Sequence, residues 1–174
     1  MELHPLSDPL GDPFFDALRR RHPDVDVVVL PPEPPPLVQE PVGGDEVADA
    51  LTRVATLAQR LWASAAREST GSPDARFRYG TGRGTVRATS RVVTRRDDGF
   101  HVLVELRHEL ETHGWQVTRL PGAVERIVGQ FDDLTVTASY AERSGALLLE
   151  VSSESLPVGA DRARDLTRPA GGVR

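Results

Sequence analysis

Residues 134–140, LTVTASY, alternate without a break: Leu134, Val136, Ala138 and Tyr140 fall on one side, Thr135, Thr137 and Ser139 on the other. A period of two marks a strand with one face buried and one in water. ALLLEVS repeats the pattern with Leu147, Leu149 and Val151 inward, and the intervening ERSG has room only for a turn. Upstream, WQVTRL and AVERIVGQF are joined by Pro121-Gly122, and Asp132-Asp133 leads into LTVTASY. Connections this short make consecutive strands antiparallel neighbours. Such a meander has one apolar face that other elements must cover.

Two amphipathic segments supply the cover. From Asp45 to Glu68, Val47, Leu51, Val54, Ala58, Leu61 and Ala65 recur at spacings of three and four. Ala48, Ala55 and Trp62 widen this stripe, and Leu57 lies off it. Asp45 is placed to cap the helix, with Glu46 and Asp49 favourable in its first turns. A second helix starts after Asp97 or Asp98 and runs to about His113, with Gly114 as its stop. Its expected buried face is Phe100, Leu103, Val104, Leu106 and Leu110. Between the helices, Arg76 to Arg95 reads as a hairpin turning near Gly80, Gly82 and Gly84, with Phe77, Tyr79, Val86 and Val92 toward the core. The expected fold is α+β: a single antiparallel sheet of about 5–6 strands (hairpin plus C-terminal meander) with two main helices packed on one face.

The flanks differ in composition. DPFFDALRRR predicts a short helix over about Pro13 to Arg21, with Phe14, Phe15 and Leu18 on one side. VDVVVL predicts a short strand ending at Leu30, and the prolines that follow hold the backbone extended. Pro31 to Pro34 and Pro32 to Pro35 satisfy PxxP, but no basic residue flanks them, which favours a spacer over a docking peptide. The expected organisation is a helix–strand lobe at 1–30, a Pro-rich linker at 31–44, the α+β body at 45–158 and a mostly disordered tail at 159–174. One or two helical turns fit within that tail, near Asp161 to Thr167.

Several chemistries are excluded at this level. There is no cysteine, so disulfides, thiolate catalysis and Cys-based zinc sites are out. HELETH places His108 and His113 five apart, not the four a helical HExxH metal site requires. YGTGRGT, residues 79–85, has neither of the phosphate-loop glycine spacings and lies between strands. No serine sits in a nucleophile-elbow context. No catalytic, cofactor or metal residue is assigned, and the chain is expected to be no enzyme. No apolar run approaches a membrane span, and the N-terminus does not read as a signal peptide, so the expected location is cytoplasmic.

Charge is the remaining signal. The net charge is -5, with acids concentrated in residues 1–50. Lysine and asparagine are absent and isoleucine occurs only at Ile127, the mark of a GC-rich genome, so every basic side chain is arginine. Arg76, Arg78, Arg83, Arg87, Arg91 and Arg95 crowd the hairpin, with no acid between residues 75 and 96. In unbulged strands Arg76 and Arg78 share one face, as do Arg83, Arg87, Arg91 and Arg95. Three readings follow: a solvated face neutralised by the chain's own acids, an anion-binding strip for an acidic protein partner, or one for nucleic acid. The acidic balance and scarce aromatics argue against nucleic acid. A second expected contact, for a peptide or partner helix, is a sheet edge at Leu147, Leu149 and Val151.

HGWQVTRL followed by three short strands, ending ASYAERSGALLLEVSSESLPVGADRAR, resembles small actinobacterial α+β proteins of unassigned function associated with type VII secretion. The resemblance spans roughly residues 98–166 and carries over no catalytic or binding residue. It implies a non-enzymatic protein-binding domain, an accessory or chaperone-like factor whose partner is a secretion component or small helical substrate. Trp62-Ala63-Ser64 echoes the W-x-G of such substrates, but those are helical hairpins of about half this length and here the helix runs on. The alternative is an immunity protein whose acidic half neutralises a basic toxin. A third is an enzyme or small-ligand binder with an unrecognised site.

Overall fold

In the computed structural model, residues 13–22, 40–66 and 71–168 are described. The chain divides into two units, Met1–Pro36 and Leu37–Arg174. The first holds α1 (Pro13–Arg21), the short helix its sequence predicts. The expected strand ending at Leu30 and the proline run lie outside the described residues.

The second unit begins with α2 (Gly44–Ala65) and the hairpin β1 (Asp74–Tyr79) and β2 (Thr85–Arg95). Then come α3 (Gly99–Thr112) and the meander β3 (Gln116–Leu120), β4 (Glu125–Phe131), β5 (Leu134–Ala141) and β6 (Ala146–Ser153). A two-residue strand β7 (Leu156–Pro157) and α4 (Ala160–Thr167) close it. All pairings are antiparallel. Among the described residues the order β1-β2-β6-β5-β4-β3, with β7 added on β2, makes one sheet of seven strands. The fold is α+β, as the alternation and the two helical stripes imply.

The two central strands of the meander, β5 and β6, keep their two-residue period. Val136, Ala138, Tyr140, Leu147, Leu149 and Val151 are buried on the inner face, joined by Ala88 and Val92 of β2 and Ile127 of β4. Val54, Ala58, Leu61 and Trp62 of α2, with Val102, Leu106 and Leu110 of α3, complete this core. Burying one such side chain contributes roughly 1.5–3 kcal/mol. The Trp62 indole N–H donates to the Gly71 carbonyl at 2.8 Å, so its polar atom costs nothing inside the core.

Several local expectations need correction. α2 starts from Gly43, with no side chain capping it, and Asp45 lies inside the first turn. Leu57 belongs to its buried face, because α2 packs against α3 as well as the sheet and so buries a wider arc. Phe100 (51% exposed) and Val104 (48%) point away from the core. The buried face of α3 is instead Gly99, Val102, Leu103, Leu106 and Leu110. Gly99 explains the rotation: a Cβ there would sit 2.2 Å from Tyr140 Cδ2, so the aromatic ring packs directly on the helix backbone. The Tyr140 hydroxyl donates to the carbonyls of Arg96 and Asp97 at 3.2 and 3.3 Å, fixing the ring under the helix start.

The body also runs past residue 158, where the sequence reads a mostly disordered tail with one or two helical turns near Asp161 to Thr167, the place of α4. Val158 and Ala163 form a second small cluster with Val47 and Val86. The Gly84 carbonyl accepts from the N–H groups of Val158 and Gly159 at 2.9 and 3.0 Å. Gly84 has φ +71, and a Cβ there would meet the Ala160 nitrogen at 3.1 Å. The glycine of the hairpin turn therefore lets the segment leading into α4 dock against it.

Candidate functional site

The unbroken register places the arginines. Arg78 pairs with Arg87, Arg76 with Thr89 and Asp74 with Arg91, so these side chains share the face opposite the helices. Across β2 and β6, Arg91 lies opposite Glu150, and Arg95 opposite Ala146. Arg126 of β4 joins the same face beside Ser139. Thr135, Thr137 and Ser139 of β5 and Ser152 of β6 fill its centre with hydroxyls. The helices of this unit pack on the other side: α2 on β1, β2 and β6, and α3 on β3, β4 and β5. The outer face thus carries Arg76, Arg78, Arg87, Arg91, Arg95 and Arg126 against Asp74 and Glu150.

Arg83 does not join them. It sits exposed in the turn between β1 and β2, off the ladder. The stretch from Gly80 to Gly84 is loop, so strand alternation does not carry through it.

Few of these charges are neutralised. Among the described residues, Arg78, Arg83, Arg87, Arg91 and Arg95 make no ion pair, and Arg76 reaches Asp74 only at 4.0 Å. Arg78 and Arg87 stand directly opposite each other, an arrangement of like charges that disfavours the folded state unless an anion sits nearby. Arg87 Nε is buried and has no hydrogen-bond partner. Thr89 is buried although it lies on this open face. Its neighbours Arg76, Arg87 and Arg91 explain this, since arginine stems cover what their charged heads leave behind. Its hydroxyl donates to the Arg76 carbonyl at 3.1 Å.

At the β1 edge the arginines border a cavity of about 820 Å³. Its floor is β1 with Arg87, and its wall is Leu166, Thr167 and Arg168 at the end of α4. Tyr79, read from sequence as a core residue, is 61% exposed and lines this cavity. It is the last residue of β1, where among the described residues no helix covers its ring.

The expected contact at Leu147, Leu149 and Val151 is overturned. β6 is a central strand between β2 and β5, and all three side chains have 0% exposure. Among the described residues the edges are β1 and β3. Sequence showed the strands but not their order, and α3 carries the chain from β2 across to the far edge before the meander returns.

His108 is exposed on α3 and His113 at its C-terminal cap, where the His113 Nδ1 lies 2.8 Å from the Glu109 carbonyl. Among the described residues no group of three or more His, Asp or Glu side chains could hold a metal. Among them, too, no helix is long and apolar enough to cross a membrane. Among the described residues one carboxylate is clearly perturbed. Arg96 grips Asp98 through Nε and Nη2 at 2.6 and 2.7 Å, and holds that carboxyl below its ordinary range. Comparison with known proteins finds no matching family model, no matching curated protein and no matching solved structure.

Proposed function

We propose that this chain is a non-enzymatic protein-binding domain, an accessory or chaperone-like factor of type VII secretion acting in the cytoplasm. One observation carries the binding role: on the outer sheet face Arg78, Arg87, Arg91 and Arg95 make no ion pair among the described residues. Guanidiniums in a row on a sheet suit carboxylates, because each planar fork can bind one with two hydrogen bonds. The face has hydroxyls but no aromatic side chain on which bases could stack, which favours an acidic protein surface over nucleic acid. The secretion context rests on the resemblance of residues 98–166.

The test is affinity capture from a host lysate at low and high salt, with the bound proteins identified. Expected is a secretion component or small helical substrate, retained less at high salt and lost with Arg91→Glu and Arg95→Glu together. A basic toxin domain, unaffected by those substitutions, would establish the immunity reading instead. Capture of nothing specific overturns both.

A further inference from the structure

The cavity beside β1 has a property that its arginines alone do not give it. Among the described residues β1 is an edge strand, and half of its backbone groups face away from β2. The Gly80 N–H donates to the Thr85 carbonyl at 3.0 Å, which sets the phase of the β1–β2 ladder. Hydrogen-bonded pairs alternate in an antiparallel ribbon, so the next are Arg78–Arg87 and Arg76–Thr89. The backbone groups of Ala75, Phe77 and Tyr79 therefore point away from β2, into the cavity. Among the described residues nothing hydrogen-bonds to them.

We infer that this edge takes an extended acidic peptide segment of a protein partner, added to the sheet as a further strand beside β1. The inference rests on the protein-binding reading above and specifies its mode. An added strand would pair with the free groups of Ala75, Phe77 and Tyr79. Its alternate side chains would fall on the two faces of the sheet. On the outer face they meet Arg76 and Arg78, backed by Arg87, so acids are preferred there. On the other they meet Phe77, with Leu166 at the α4 wall, so apolar residues are preferred. The groove thus selects alternating acidic and apolar residues, not acidity alone. A second copy of this chain fits poorly, because pairing β1 with β1 brings Arg76 and Arg78 against their own mates.

The experiment titrates the full chain into a fluorescently labelled peptide alternating glutamate and valine, read by polarisation. Expected is saturable binding in which Arg76→Glu with Arg78→Glu raises Kd roughly tenfold or more. N-methylating the peptide amides that face β1 should abolish binding, while a peptide of the same composition in two blocks binds at least as weakly as the double variant. Both substituted residues are surface arginines, and a circular dichroism melt checks that the variant stays folded.

Equal binding of the block peptide, or of an oligothymidylate, reduces the site to electrostatics and overturns strand addition. Binding that appears only when Asp24 and Asp26 are replaced by Asn means an acidic segment of the chain itself competes, and overturns a separate partner. A concentration-dependent dimer lost with the double variant puts a second copy in the groove instead. If no peptide binds but lysate capture still succeeds, the strand-addition mode fails and the protein-binding reading stands.

Discussion

β2 meets two different environments on its two sides. Inward it presents Val86, Ala88, Ser90 and Val92, all buried under the helices. Outward it presents Arg87, Arg91, Val93 and Arg95, with Thr89 under the arginine stems. One backbone thus serves a packed interior and an open charged face. The inner face is settled by what it touches. The outer face holds charges that the described residues do not answer, and that difference is what assigns stability to one side and binding to the other.

Substitutions at matched depths on the two faces should separate these roles. The largest effect belongs to the interior: Leu149→Ala should lower unfolding free energy by about 2–5 kcal/mol in urea denaturation. Leu148→Ala, its neighbour on the outer face, should cost far less; equal losses would show that both faces are packed. Next, Gly99→Ala forces a methyl against the Tyr140 ring and should cost about 1–3 kcal/mol by the same assay. Ser90 tests the interior from the other direction. Its Oγ is buried without a partner, so Ser90→Ala should be neutral or stabilise by up to about 1 kcal/mol. A clear loss would reveal a water or partner holding that hydroxyl.

Arg91→Ala, on the outer face, should change stability by no more than about 0.5 kcal/mol in either direction while weakening partner capture. The smallest effect concerns Asp98. Its folded pKa is depressed by the Arg96 hydrogen bonds, so its contribution is present above the unfolded pKa and fades as pH falls through the folded one. Asp98→Asn should flatten that acid limb in urea titrations across pH, and salt should flatten it in the parent chain as well.

The meander was legible because period-two alternation and short turns are local signals. Leu134 through Val151 sit on the faces their sequence assigns. The arginine face was legible for the same reason, apart from Arg83, which a glycine-rich turn removes from the ladder. What sequence could not show was strand order. Leu147, Leu149 and Val151 read equally well as edge or centre, and only the crossover through α3 makes them central. Helix rotation was also hidden. Phe100 and Val104 are apolar, but the contact between Gly99 and Tyr140 turns them outward, and that contact joins residues far apart in the chain. α4 was underestimated because its hold on the body runs through Gly84, Val158 and Ala163, a cluster that no single window contains.

The β2–β6 seam also bears on how the molecule is made. Ala88 N–H donates to Ser153 Oγ at 3.0 Å across 65 positions of chain, and the two strands it joins lie side by side in mid-sheet. The hairpin on one flank and the three-stranded ribbon on the other can each zip from their own turns. α2 covers the hairpin and α3 the ribbon, but the two halves share one interior only once β6, the last long strand to leave the ribosome, docks between β2 and β5. Long-range closure of this kind slows folding, and until it happens the nascent chain exposes an unfinished sheet. A chain truncated before Ala146 would therefore lose the strand that joins the two halves, leaving a hairpin and a ribbon with no shared interior.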